Sequence, residues 1–415
     1  MSAGLYAANH PARFWRPLLP AEPRPWEWEQ AALAAAAVLP PAARAASDVD
    51  GLLEAVLGEG QFGPGHWRLS PARRLYYRLK PLLPRALVRR ARRVVQRGAP
   101  GAFPLGWPVE DRYRRFLWTA MGAVLAATGR DEAPFLFFWP RGATWALVLT
   151  HDVETAEGQR FVRHVADREE RLGLRSSFNF VAERYPLDMG LIDELRSRGF
   201  EVGVHGLRHD GRELRSRRSF ERTAGLINDH LARLRAVGFR SPLTHRHPEW
   251  MQELAVEYDS SFFDTDPFEP LPGGTMSIWP FLMGRFIELP YTLAQDSTLA
   301  DVLGERGPGT WLAKAAYVKR WHGMALVNTH PDYLRLPGRW EVYAALLESL
   351  RERGGWWNVL PREAARWWRD RAAARTAGAL DGGREGLLRR GRGPEVEVLP
   401  PPADAAGAAA PRLEP

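Results

Sequence analysis

From about residue 143 to 360 the chain alternates short apolar runs with longer, charge-rich stretches, and few folds tolerate that rhythm. The runs are TWALVLT, RSSFNFV, FEVGVHG, GFRSP, YDSSFF, RFIELPY and MALVNTH. Between them the pattern predicts helices over 157–172, 188–198, 217–236 and 340–353. Strand–helix alternation at this spacing implies an α/β fold, either a parallel sheet or an α/β barrel with helices packed outside it.

The flanks read differently. Residues 1–140 are Pro- and Trp-rich segments broken by helices, expected to form a mainly helical N-terminal region. Within it, RLSPARRLYYRLKPLLPRALVRRARRVVQR is basic throughout and holds no acid. Such a segment can lie on an anionic membrane as an amphipathic helix, or form a solvated helical hairpin broken at Pro81 and Pro84. Nucleic acid is not expected as a partner, because no ladder of interleaved aromatics accompanies the charge. The barrel-like part is expected over 141–370. Residues 371–415 are rich in Ala, Gly, Pro and Arg, and are expected to be a disordered tail. The formal charge of +8 is carried almost wholly by arginine. The N-terminus lacks the apolar core of a signal peptide, and AALAAAAVLPPAA is too short to span a bilayer. The expected location is cytoplasmic, with peripheral contact at the inner membrane if the basic segment binds there.

In α/β folds ligands bind at the C-terminal ends of the strands. The first apolar run ends in His151-Asp152-Val153-Glu154, the third in His205 and His209, and the last in His330; Arg240 follows the fourth. Taken singly these are weak signals, since an Asp there can cap the next helix and a His can face solvent. Together they form a set with chemistry. The chain has no cysteine, so any metal must be held by His, Asp or Glu. Two histidines and a carboxylate make a common three-ligand set with an open position. A further carboxylate can act as general base and a separate histidine as general acid, which suits metal-assisted hydrolysis of an acyl bond.

These residues resemble the polysaccharide deacetylase family, the chitooligosaccharide-deacetylase-like group of carbohydrate esterase family 4. Its T-F-D-D strand end corresponds to Thr150-His151-Asp152-Val153-Glu154, its H-[ST]-x-x-H to His205-Gly206-Leu207-Arg208-His209, its R-x-P-Y-G to Arg240-Ser241-Pro242-Leu243-Thr244, and its L-x-H loosely to Val327-Asn328-Thr329-His330. The resemblance covers roughly 143–360. It implies a distorted (β/α) barrel of about seven strands, a divalent metal (zinc is the expected ion), and hydrolysis of an N- or O-acyl group from a sugar in a bacterial glycan or its precursor. It assigns Asp152 as base, His205 and His209 as metal ligands, Arg240 as the arginine that orients the base, and His330 as the acid. The family's second aspartate, a ligand, falls on Val153, which cannot bind metal. Glu154 is the replacement, in a D-V-E spacing similar to the D-V-D of formamidosugar deformylases. If strand geometry persists, Asp152 and Glu154 point to one side, so one can be ligand and the other base; Glu154 as ligand is the preferred assignment and the reverse stays open.

The family's Tyr is Leu243 here, whose backbone N–H can still line an oxyanion hole. The acidic motif that tunes the acid histidine is not evident; Asp264 and Asp266 are candidates. His245, Arg246 and His247 either contact substrate or sit on a loop. Trp279 either stacks on a sugar ring or packs in the core. Rival readings are a deformylase or small cyclic amide hydrolase on the same fold, and a non-catalytic glycan-binding relic.

Overall fold

The computed structural model describes residues 4–63, 65–67, 101 and 103–402. The basic segment around Arg89–Arg93, and with it the membrane expectation, lies outside the described residues. Among those described, no helix is long and apolar enough to cross a membrane.

All seven apolar runs become strands. β1 (Glu132–Leu136) precedes them; β2 (Trp145–Val153), β3 (Ser176–Phe180), β4 (Glu201–Val204), β5 (Gly238–Phe239) and β6 (Tyr258–Asp259) follow in order. β7 (Phe281–Met283) and β8 (Phe286–Glu288) form a hairpin, and β9 (Met324–Thr329) and β10 (Trp356–Asn358) complete the sheet. The parallel strands run β9-β2-β3-β4-β5-β6-β8, with β10 paired to the first residues of β2 and β7 antiparallel on β8. Beyond β8 the chain bends back onto β9, where Leu293 N–H bonds the Leu326 carbonyl at 3.2 Å. The sheet therefore curls into the expected distorted barrel.

The sequence explains the central strand. Every residue of β2 is buried, because helices cover its outer side and side chains fill its inner side, so an unbroken apolar run is stable there and nowhere on a surface. The helices form where periodicity places them: Ala156–Arg171, Met189–Ser197, Arg217–Arg233 and Arg339–Arg353. In the first, Thr155 caps the N-terminus and accepts from Gly158 N–H, Glu157 lies in the first turn, and Arg168 and Arg171 lie in the last, each charge suited to the helix dipole. Val162, Val165 and Ala166 form its buried stripe.

The N-terminal region is largely helical, as at Pro25–Ala35, Val49–Leu57 and Arg112–Ala127. Its apolar face is continuous with that of the barrel: Trp118 stacks on Trp279 and edges against Trp15.

The expectation of a disordered tail over 371–415 needs correction. The helix Pro361–Ala373 runs into that range, and β11 (Glu385–Arg390) and β12 (Val396–Leu399) follow. β11 pairs antiparallel with β1, from Glu132 opposite Arg389 to Leu136 opposite Glu385, and β12 pairs with β11. Composition misleads here because a strand needs only one buried face: Leu388 and Val396 supply it, and their charged neighbours point outward. Residues 403–415 lie outside the described part.

Candidate functional site

β2, β4, β5 and β9 end at the same mouth of the barrel, and each delivers polar groups there. Asp152 is the next-to-last residue of β2 and Glu154 the first beyond it. His205 follows β4, Arg240 follows β5 and His330 follows β9. His209 lies on the loop after His205 with a left-handed backbone (φ 55°), and Leu243 and Thr244 share that conformation (φ 58° and 53°). Non-glycine residues seldom adopt it, and such strain concentrates at functional sites.

Glu154, His205 and His209 each offer a ligand atom, and these atoms lie within 4.8 Å of one another. Glu154 Oε1 is 3.0 Å from His209 Nε2. His205 donates its Nδ1–H to the Arg240 carbonyl at 3.0 Å, which leaves Nε2 as the free lone pair. Burial, followed by the charge of neighbouring His209, outweighs the nearby carboxylates and holds His205 down at about 4, in the neutral form a cation needs. Two imidazole nitrogens and a carboxylate oxygen at this separation suit a small divalent ion. Glu154, not Asp152, completes the cluster with the two histidines.

Asp152 stands behind it, 2% exposed. It accepts from Asn179 at 3.0 Å, Asn328 at 2.9 Å and Arg240 at 3.3 Å, and its Oδ2 is 3.9 Å from His205 Nε2. Burial alone would raise its carboxyl; His205, Arg240, His330 and the Asn179 bond more than reverse this and keep it ionised. Glu154 is likewise held well below its ordinary value, burial being overcome first by His209.

His330 occupies the other side, its Nε2 3.7 Å from Glu154 Oε1. Asp296 grips it twice: Oδ1 accepts from Nδ1–H at 2.7 Å and Oδ2 from the backbone N–H at 3.0 Å. Burial would lower this histidine, but Asp296, then Glu154 and Asp152, push it up to about 10, so it carries a proton at neutral pH.

Several expectations change. Trp279 is 1% exposed, donates to the His322 carbonyl and stacks on Trp118; it belongs to the core and cannot meet a sugar. Asp264 pairs with the buried Lys314, and Asp266 accepts from Phe268 N–H, so neither holds the histidine; Asp296 does. Arg246 is committed to Glu59, and His247 stacks on Trp250. His245 is buried, with its ring against Gly211. Leu243 also packs against Gly211, two residues beyond His209. Asn179 and Asn328 escaped the sequence reading. Asn328 had a signal, being two residues before His330 on the same face of a strand; Asp296 had none, because the loop that carries it shows no period.

No protein-family model and no curated protein matches the chain. Among solved structures it is similar to a protein described as a polysaccharide deacetylase from Mycobacterium smegmatis, at 17% identity over 56% of this chain and 92% of that one, with a TM-score of 0.45. It is similar to Puue allantoinase at 16% identity over 56% of this chain and 93% of that one, with a TM-score of 0.44. The structural neighbours thus include polysaccharide and peptidoglycan deacetylases as well as an allantoinase, among them the peptidoglycan deacetylase PdaC from Bacillus subtilis, at 12% identity over 56% of this chain and 95% of that one, with a TM-score of 0.38.

Proposed function

We propose that this chain is a divalent-metal-dependent hydrolase that removes an N- or O-acyl group from a sugar. The observation that carries the reading is the convergence of Glu154, His205 and His209 within 4.8 Å, with an ionised carboxylate and a protonated histidine beside them. A divalent ion bound there, zinc by the choice of ligands, would polarise the acyl oxygen and acidify an attacking water.

The remaining steps fall to the protein. Asp152 accepts the proton of the attacking water, and Arg240 with the two asparagines fixes its carboxylate. The Leu243 N–H is assigned to the oxyanion. His330, held in orientation by Asp296, donates its proton to the departing nitrogen or oxygen. In the ion-free chain the base is ionised and the acid protonated at neutral pH, the states the reaction needs.

A second reading, release of formyl groups or opening of small cyclic amides, has one observation in its favour. Asp152, His205 and His330 are 2%, 3% and 4% exposed, which suits a small acyl unit.

The test is acetate and formate release from a panel of acylated sugars and small amides, with ion content measured on the same samples. The proposal expects turnover on an acyl sugar that a chelator abolishes and zinc restores. Turnover unaffected by complete ion removal would overturn it, and activity confined to cyclic amides would select the second reading.

A further inference from the structure

Past Val153, β2 has no ladder partner, yet Glu154 must be held accurately. The group that holds its backbone is Asp332, two residues beyond His330 in the short helix Pro331–Leu334. One Asp332 oxygen accepts from Glu154 N–H at 2.9 Å, and the other accepts from the Thr155 hydroxyl. Asp332 is 8% exposed. Thr155 in turn accepts from Gly158 N–H at 3.3 Å, as cap of the helix Ala156–Arg171. A carboxylate is favoured at such a helix start. Gly158 makes the approach feasible: a Cβ there would lie 2.3 Å from Asp332 Oδ2. From the opposite side the Tyr185 hydroxyl donates to the Val153 carbonyl at 2.5 Å. The backbone around Glu154 is therefore clamped from two directions.

We propose that Asp332 is a positioning residue that sets the Glu154 carboxylate against His209 and opposite His330. Because Asp332 and His330 share one short stretch of chain, the ion ligand and the acid histidine keep a fixed separation. The inference rests on the reading of Glu154 as an ion ligand. Its physical basis is preorganisation. A ligand on a loosely held backbone must be ordered when the ion binds, and partners behind metal ligands are typically worth about 10–100-fold in affinity.

The test is calorimetric titration of Zn2+ into the full chain after chelator stripping, for wild type, Asp332→Ala, Asp332→Asn and Gly158→Ala. Thermal midpoints of the ion-free proteins are measured alongside. Asp332→Ala should weaken Zn2+ binding about 10–100-fold. Gly158→Ala should weaken it in the same direction, by pushing the intact carboxylate away. Asp332→Asn should bind within about threefold of wild type, since its amide oxygen can accept from Glu154 N–H while its NH2 donates to Thr155 Oγ1. A folded Asp332→Ala with wild-type affinity would overturn the role, whatever its midpoint. Equal loss in Asp332→Asn and Asp332→Ala would assign the effect to charge, and would overturn it too. If Asp332→Ala fails to fold, Gly158→Ala and Asp332→Asn decide by the same criteria. Absence of Zn2+ binding by wild type would overturn the ligand reading and this inference together, whereas normal wild-type binding with an unaffected Asp332→Ala removes this inference alone.

Discussion

Arg240 and Arg246 stand on the same loop, and each buries an ion pair beside a histidine. Arg246 holds Glu59 through two bonds of 2.8 Å, and His66 adds a contact at 3.2 Å. Both charged side chains are fully buried. Burial alone would raise Glu59, but Arg246 and then His66 bring it down to about 2. Gly273 leaves room for the pair, since a Cβ there would sit 2.2 Å from Glu59 Oε1. The result ties the N-terminal region to the loop after β5. Arg240 distributes itself differently. It reaches Asp152 at only 3.3 Å and gives its other bonds to the Ser260 carbonyl, the Thr150 hydroxyl and Asn328. The neighbouring His205 spends its Nδ1–H on backbone and keeps Nε2 free. In the first cluster the partners are spent on one another and on the Thr244 and Leu271 carbonyls. In the second they are oriented by surrounding groups and retain reactive atoms, which is what a site requires.

Mutation should separate the two clusters, and the largest effect belongs to the second. Asp152→Asn should lower turnover about 10²–10⁴-fold with ion content retained, because an amide cannot take the proton. It should also cost about 1–3 kcal/mol of stability. Its NH2 would face the donor groups of Asn179 or Asn328, and Asn328 cannot flip while its oxygen accepts from Arg240. Steady-state kinetics with metal analysis checks this; loss of the ion in Asp152→Asn but not in Glu154→Gln would exchange their roles.

Glu59→Ala should do the reverse. It strands a buried guanidinium, so equilibrium unfolding should show a loss of about 3–5 kcal/mol. The folded fraction should keep its ion, because Glu59 touches no member of the ligand set. A Glu59→Ala protein of normal stability would erase the contrast.

Glu201 sharpens it with a buried carboxyl held by neutral hydrogen-bond donors. It accepts from Tyr258 OH at 2.9 Å and Arg362 N–H at 3.0 Å, at the opposite end of the barrel. Burial, only partly offset by these bonds and by the charge of Arg362, lifts it from 4.5 to about 7. A raised value means the folded state binds the proton more tightly. Its contribution is complete below pH 4.5 and is lost as pH rises through about 7. Unfolding measured at about pH 5 and about pH 8 should reveal a loss of about 3 kcal/mol that Glu201→Gln removes. An unchanged pH slope in Glu201→Gln would show that the carboxyl is charged throughout.

The seven strand runs and the principal helices were legible because burial on both faces and helical periodicity are one-dimensional signals, as in TWALVLT and in Val162, Val165 and Ala166. The convergence of Asp152, Glu154, His205, His209, Arg240 and His330 was legible for a related reason: each stands at or just beyond a strand end, and strand ends converge in this class of fold. Only the tertiary structure could decide the rest. Trp279 and Trp118 belong to one stack although 161 positions separate them, and a ring that packs on a ring reads in sequence like a ring that packs on a sugar. Asp296 and Asp332 were indistinguishable from surface acids until folding set one on His330 and the other under Glu154. β11 was hidden by its composition until β1 supplied a partner edge. Local sequence encodes which stretches are buried and which groups stand at their ends; which distant groups satisfy one another depends on where the folded chain returns, because a hydrogen bond or an ion pair depends on separation in space.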